Sequence, residues 1–317
     1  MLIEAFLLSK LPTSLNEKSY NKKVALNKER QIPFLRYNMR SFEALLMVVA
    51  KKSLGQHFLT DESFLDRIVS ALPPLNPLKL IEIGVGLGDL TLKLLDRYPL
   101  KTYEIDSNLC EKMRSRLKAE KKPFQLELVE KDALFLKEEE PYFLISNLPY
   151  YIATRLVLNA LKDPKCRGLL VMTQKEVALK FCAKDSQNAL SVLAHTIGNV
   201  TLLFDVPPSA FSPSPKVFSS VFEVIKEPLK EKALASLAQV PFFEEALQKG
   251  FETLEDFLKA CFSSPRKTLS NNLKKSVSYK EKLDKVLDFL ALENQPTSVR
   301  ASEVKDYLKL LNYLLKG

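Results

Sequence analysis

Four consecutive residues, Asn147-Leu148-Pro149-Tyr150, combine the groups that recognition of an amino-substituted base requires. They follow an apolar run, 142–145, with the composition of a buried strand. The Asn147 side-chain oxygen and the Leu148 carbonyl can accept the two hydrogens of an exocyclic amine. Pro149 fixes its own φ and removes a competing donor, and Tyr150 offers a ring face for stacking. A polar strand end followed by a turn is the alternative interpretation.

A glycine-rich turn upstream could hold a second ligand. Gly84, Gly86 and Gly88 form a Gly-x-Gly-x-Gly pattern directly after the apolar run 79–83. Missing side chains let a ligand approach the backbone closely. Asp89 stands where the dinucleotide fingerprint has its last glycine, so a nucleoside with a charged tail fits better than a pyrophosphate. The structural alternative is a tight strand-to-helix turn.

Two acidic residues follow the next two predicted strands. Glu104 stands where an acid can accept hydrogen bonds from both ribose hydroxyls, with Asp106 as a second candidate. Asp132 could accept the amino group of an adenine, or it could simply cap a helix. Together with Asn147, these features occupy four successive strand ends, which meet at one edge of a parallel sheet.

The elements that position these residues alternate between short apolar runs and segments of helical period, which predicts a doubly wound, parallel α/β sheet. The predicted strands are 79–83, 101–105, 124–129, 142–145 and 169–172, the helices 90–95, 108–119 and 153–161, and the terminal β-hairpin 202–204 with 217–225. Helical period then continues at 229–240, 253–262, 269–276, 281–290 and 301–315. We therefore predict an α/β domain at 47–226, a small all-helical domain at 227–317 and a weakly ordered extension at 1–46, with Met47 a possible alternative start.

Composition narrows the class of protein. A net charge of +9 favours a polyanionic partner. The four cysteines show no Cys-x-x-Cys pair, as is typical of free thiols in a reducing compartment, and two histidines cannot form a His-rich metal centre, so no metal site is predicted. No apolar stretch approaches the span of a bilayer and no signal peptide is recognisable, so we expect a cytoplasmic protein that binds no membrane.

From Lys52 to the C terminus, the ordered motifs resemble those of the ribosomal RNA adenine dimethyltransferases, the kasugamycin-resistance methylases. The motifs are Lys52-Ser53-Leu54-Gly55-Gln56-His57-Phe58-Leu59, the glycine turn, Glu104-Ile105-Asp106, Asn147-Leu148-Pro149-Tyr150-Tyr151, and the segments 174–178, 206–217 and 266–273. The resemblance implies a Rossmann-like, S-adenosylmethionine-dependent methyltransferase sheet. It also implies two methyl transfers to each of two adjacent adenines near the 3′ end of small-subunit ribosomal RNA, during ribosome biogenesis.

The resemblance also assigns roles to residues. The cofactor S-adenosylmethionine would be held by His57, Leu59, Gly84, Gly86, Glu104, Asp132 and Asn147. The target base would lie at Asn147, Leu148 and Pro149, between Tyr150 and Phe211, although Phe211 could instead be a core residue beneath its loop. Contacts to small-subunit RNA, or to the pre-ribosomal small subunit, are expected from Lys51, Lys52, Arg266, Lys267, Lys274 and Lys275, for which a solvated lysine surface is the alternative. We expect a monomer.

Several positions depart from the family pattern. His57 replaces the usual Asn, and since imidazole gains a charge on protonation, cofactor binding could depend on pH. Gln187-Asn188 replaces Tyr-Gly, Phe218 replaces Asp, and Ser264-Pro265 precedes Arg266 where Gln is common. The alternatives are a large-subunit enzyme of the macrolide-resistance type, a non-catalytic ribosome assembly factor, a DNA adenine methylase and a nicotinamide-dependent oxidoreductase.

Overall fold

The computed structural model describes residues 57–76, 78–120, 123–185, 187–238 and 240–316. The predicted extension at 1–46 and the predicted RNA contacts Lys51 and Lys52 lie outside these residues. Within them, no helix has the length and apolar character needed to cross a membrane.

Most of the strands in the described residues form a single sheet. The strands are β1 (Phe58–Leu59), β2 (Lys79–Ile83), β3 (Leu100–Glu104), β4 (Leu126–Glu130), β5 (Tyr142–Asn147), β6 (Cys166–Gln174), β7 (Gly198–Val206), β8 (Phe211–Ser212) and β9 (Ser219–Lys226). The seven-stranded sheet has the order β4-β3-β2-β5-β6-β9-β7, and β1 pairs with β8 separately. The first five strands in this order, β4, β3, β2, β5 and β6, run parallel to one another. Strand β9 is antiparallel to both of its neighbours, β6 and β7.

Helices connect and cover these strands. They are α1 (Glu62–Ser70), α2 (Asp89–Leu95), α3 (Ser107–Glu120), α4 (Ala153–Lys162), α5 (Lys175–Cys182), α6 (Ala189–Ile197), α7 (Pro228–Ala235), α8 (Phe243–Cys261), α9 (Leu269–Leu273), α10 (Leu283–Leu292) and α11 (Tyr307–Leu315). Short 3₁₀ helices lie at Ala133–Phe135, Pro208–Ala210, Lys280–Lys282 and Ala301–Glu303.

The central strands β2, β5 and β6 are buried on both faces, because side chains alternate along each strand and helices cover each side. On β5, Phe143 and Ile145 join the core that α1, α2 and α3 complete, whereas Leu144 joins the core on the opposite face. That second core extends from Phe222 on β9 to Phe251 on α8, and α8 packs against α4 and α6, two of the helices that cover this face. The rigid sheet therefore fixes where each strand ends.

The fold class is confirmed, with corrections at particular helices. The helix expected at 253–262 begins at Phe243, and the one expected at 301–315 begins at Tyr307, where Asp306 accepts the Lys309 N–H at 2.9 Å and caps it. Helices α1, α5 and α6 had no counterpart in the prediction. The end of β9 at Lys226 coincides with the predicted end of the α/β domain, but the assignment of separate domains stays a prediction.

Candidate active site

The sheet creates a crevice between β2 and β5. After β2 the chain adds β3 and β4 on one side and then crosses to β5 on the other. Open α/β sheets bind ligands at such a switch point, outside the carboxyl ends of the strands. A cavity of about 220 Å³ lies there. The predicted site residues that line it are His57, Leu59, Gly84, Gly86, Glu104, Asp132, Asn147, Leu148, Pro149 and Tyr150.

The glycine turn forms one wall of this cavity. Gly84, Gly86 and Gly88 have φ values of 79°, 55° and 89°, in the left-handed region that glycine adopts readily. A Cβ on Gly84 would meet no atom within 4 Å, whereas one on Gly88 would lie 2.6 Å from the Met113 sulfur. The turn is thus packed against α3 at Gly88 and has open space at Gly84.

Glu104 supplies a fixed carboxylate opposite the turn. Its Oε1 accepts the N–H groups of Ile105 and Asp106 at 2.9 Å each, and its Oε2 lies 3.4 Å from the Gly86 nitrogen. The residue is 6% exposed, and this burial raises the pKa of the carboxyl above its ordinary value. The carboxylate has a set position and can accept further hydrogen bonds from a ligand.

The other two acids act partly as caps. Asp132 Oδ1 accepts the Leu134 N–H at 2.9 Å and caps a 3₁₀ helix, which agrees with the alternative interpretation of this residue as a helix cap. Asp132 also lines the cavity. Asp106 accepts the Asn108 N–H at 3.1 Å and is not a lining residue. The structure therefore brings Asp132, and not Asp106, to the cavity with Glu104.

Asn147, the last residue of β5, presents its amide to the cavity. Its Nδ2 lies 3.4 Å from the His57 carbonyl, which leaves the Asn147 Oδ1 as an acceptor. The adjacent Leu148 N–H donates to the Met172 carbonyl at 3.0 Å, so the peptide after Asn147 is anchored to β6. The two groups expected to accept an amine are thus held by the sheet.

Tyr150 is fixed at both its ring and its hydroxyl. The ring stacks on His57, with centroids 5.6 Å apart and planes inclined by 27°. The hydroxyl lies 2.8 Å from Ser219 Oγ, and burial raises the pKa of Tyr150. His57 Nδ1 in turn lies 2.7 Å from the Pro213 carbonyl, which ties the start of the described chain to the Pro-rich loop.

Phe211 lies beneath this loop. It is 5% exposed, pairs with Leu59 between β1 and β8, and does not line the cavity. This position corresponds to the alternative of a core residue. Stacking on a base would require its ring to be uncovered, so that role stays a prediction.

Four of the residues that are predicted to contact RNA lie in the C-terminal helical region. Arg266, Lys267, Lys274 and Lys275 are all exposed. The ammonium of Lys267 beside Lys275 lowers the pKa of Lys275, so these two cations adjoin. Among the residues that the structure describes, no carboxylate lies within 4 Å of any of the four. Lys267 and Lys275 therefore form an adjacent pair of cations, and Arg266 and Lys274 are their sequence neighbours.

Several residues at the site were not predicted individually, among them Ile105, Tyr151 and Ser219. Ile105 lines the cavity although it is apolar and 57% exposed. Tyr151 also lines it, and Ser219 holds the Tyr150 hydroxyl from a distant strand. Ile105 and Tyr151 stand inside quoted motifs, but only the fold brings Ser219 to Tyr150. In the described ranges, no cluster of His, Cys, Asp or Glu could hold a metal ion.

The sequence model of one protein family, described as ribosomal RNA adenine dimethylase, matches residues 47–316. The chain belongs to this family. A relative from Helicobacter pylori (strain G27), named ribosomal RNA small subunit methyltransferase A, is 96% identical over 271 residues, covering 86% of this chain and 100% of the relative. A relative of the same name from Campylobacter concisus (strain 13826) is 42% identical over 275 residues, covering 83% of this chain and 94% of its own length.

Two solved structures share the fold of this family member. A dimethyladenosine transferase from Plasmodium falciparum superimposes with a TM-score of 0.62 at 24% identity, covering 82% of this chain and 97% of its own. The 23S rRNA methyltransferase ErmE superimposes with a TM-score of 0.60 at 22% identity, covering 82% and 98%. At this level of identity, these likenesses support the methyltransferase fold.

Proposed function

We propose that this chain dimethylates the exocyclic amines of two adjacent adenosines near the 3′ end of small-subunit ribosomal RNA, with S-adenosylmethionine as the methyl donor. One observation carries the proposal: Asn147 and Tyr150 open onto the same cavity as the glycine turn and Glu104. Such a transfer needs a site that binds the target amine next to a site that binds the nucleoside of the cofactor. The names of the most similar relatives support the choice of substrate.

The residues that line the cavity fit the cofactor. Glu104 would accept hydrogen bonds from the ribose hydroxyls, and Ile105 offers an apolar surface to the purine. Asp132 keeps one oxygen beyond its cap to accept the adenine amino group. Gly84 leaves room for the ligand at the turn, and Gly86, His57, Leu59 and Asn147 complete the site. When bound, S-adenosylmethionine supplies an electrophilic methyl group on a positively charged sulfur.

The chain's own contribution to the reaction is to position and polarise the amine. The lone pair of an adenine amine is delocalised into the ring, which makes the nitrogen a poor nucleophile. Asn147 Oδ1 and the Leu148 carbonyl would accept its two hydrogens, favour a pyramidal nitrogen and stabilise the positive charge that develops there. Holding the amine in place makes the displacement effectively unimolecular. No strong general base is needed, since the product ammonium can lose a proton to water.

Recognition of the RNA divides between the base and the backbone. The target adenine must leave its stack, and Tyr150 supplies a ring face for it, with Phe211 proposed as the second face. Arg266, Lys267, Lys274 and Lys275 would contact phosphates, together with Lys51 and Lys52. We assign catalysis to residues 47–226 and RNA binding to 227–317, and expect a cytoplasmic monomer that acts on the RNA or on the pre-ribosomal small subunit.

Two alternatives use the same architecture. The 23S enzyme ErmE shares the fold, so a large-subunit substrate is the nearest rival. A non-catalytic assembly factor would not need residues that bind the target amine, whereas Asn147 and Tyr150 both line the cavity. The names of the 96% identical relatives favour the small subunit.

The test is to incubate the purified protein with radiolabelled S-adenosylmethionine and either unmethylated small subunits or large-subunit RNA, and to map the modified bases. We expect label on two adjacent adenosines near the 3′ end of the small-subunit RNA. Label on large-subunit RNA alone, or no label on either substrate, would contradict the proposal.

A further inference from the structure

Two exposed aromatic residues adjoin the contact that holds Tyr150. Tyr151 lines the cavity and is 59% exposed, and Phe218 is 49% exposed. Tyr151 follows Tyr150 in the sequence and Phe218 precedes Ser219, and the two segments are joined where Tyr150 Oη lies 2.8 Å from Ser219 Oγ. Val217, 44% exposed, extends the apolar surface. An exposed apolar patch beside a cavity is typical of a binding surface.

Cationic side chains stand near these rings in the sequence. Lys216 is exposed two residues before Phe218, and Arg155 is exposed in the first turn of α4, four residues after Tyr151. In the described part of the chain, no carboxylate lies within 4 Å of either cation. Rings and unneutralised cations together match a strand that carries bases and phosphates.

The backbone beneath this surface is fixed by hydrogen bonds. The Phe218 carbonyl accepts the Lys175 N–H at 2.9 Å, and β9 begins at the next residue, Ser219. On the other side, the Ile152 N–H donates to the Pro149 carbonyl at 3.2 Å and closes the turn that carries Tyr151. Both rings therefore start from positions that the sheet and its turns determine.

We propose that Tyr151 and Phe218, with Arg155 and Lys216, bind the single-stranded nucleotides that flank the target adenines. This inference rests on the proposed function and names a second part of its RNA site. Extruding a base leaves its neighbours unstacked, and aromatic rings can stack on any base while cations hold the phosphates.

The test uses the full chain and a single-stranded oligoribonucleotide with 2-aminopurine beside the adenine pair. Binding to the wild type should quench the fluorescence through stacking. Phe218→Ala and Tyr151→Ala should each lose quenching and weaken the affinity, on the order of 5- to 100-fold. Lys216→Gln should weaken binding and lower the slope of log affinity against log salt by about one.

Matched controls are Phe135→Ala, whose ring is 63% exposed in the catalytic region and does not line the cavity, and Lys118→Gln, whose side chain is exposed at the end of α3. Both should keep wild-type affinity and quenching. Wild-type behaviour of the Phe218→Ala and Tyr151→Ala variants would overturn the inference, whatever other molecule, including a protein partner, binds the patch. Fluorescence quenching requires no methyl transfer, so the two proposals can fail independently. The binding test can fail while modified bases are still mapped on small subunits, and the mapping can fail while the binding test succeeds.

Discussion

At the scale of single residues, Glu104 is the carboxylate on which nucleoside binding depends. Its oxygens are held by three backbone N–H groups at 2.9 to 3.4 Å, so the side chain is preorganised before a ligand arrives. Glu104→Gln replaces one acceptor oxygen with a donor and removes the charge. We expect cofactor affinity to fall about 10- to 100-fold, since charge-assisted hydrogen bonds contribute roughly 1.5–3 kcal/mol. Isothermal titration checks this, with exposed Glu111→Gln as the control, and equal affinities would contradict the role.

Glu82, on β2, gives a prediction about pH. Burial raises its pKa from 4.5 to about 8, although the Thr91 hydroxyl donates to it at 2.8 Å. The folded protein therefore keeps a proton that the unfolded chain loses above its lower pKa, so stability falls as pH rises from about 4.5 to 8. Glu82→Gln should raise the free energy of unfolding by about 2–4 kcal/mol at pH 8 and change it little near pH 4. Urea unfolding without cofactor measures this, and a gain that is equal at both pH values would refute it.

At the scale of elements, the glycine turn separates ligand binding from stability. Gly84→Ala introduces a Cβ into open space at φ 79°, so it should cost only about 1 kcal/mol of stability while weakening cofactor binding strongly. Gly88→Ala introduces the same backbone strain and also places the new Cβ 2.6 Å from the Met113 sulfur. It should therefore lower the free energy of unfolding by more than Gly84→Ala does, by about 2–4 kcal/mol. Thermal unfolding and cofactor titration of both variants check the contrast. Equal losses of stability would contradict it.

The elements also show what sequence can predict. The strand ends at or near Glu104, Asp132 and Asn147 were predictable, because apolar runs end there and parallel strands share an edge. Ser219 was not, since its contact with Tyr150 depends on β9 returning antiparallel beside β6. The burial of Phe211 was an alternative that the sequence left open, because it follows from the pairing of two-residue strands that have no sequence period. Helix α6 could have been found from its cap, where Asn188 Oδ1 accepts the Leu190 N–H at 2.9 Å.

At the scale of the whole molecule, the net charge of +9 and the exposed cations predict electrostatic binding of RNA. Affinity should fall steeply with salt as counterions are released. Lys267→Gln and Lys275→Gln should each reduce the slope of log affinity against log salt by about one, without changing cofactor affinity. Exposed Lys118→Gln is the matched control for charge. If the RNA affinity of the wild type did not change with salt concentration, electrostatic binding of RNA would be contradicted.

The central claim is that Asn147 and the Leu148 carbonyl accept the hydrogens of the target amine beside the cofactor. The most direct test is single-turnover methyl transfer to unmethylated small subunits by the wild type and Asn147→Ala, with cofactor affinity measured in parallel. The account predicts a fall in the transfer rate of at least about 100-fold, as for loss of one oxyanion-hole group, and a much smaller loss of cofactor affinity. Transfer by Asn147→Ala at the wild-type rate would contradict the account.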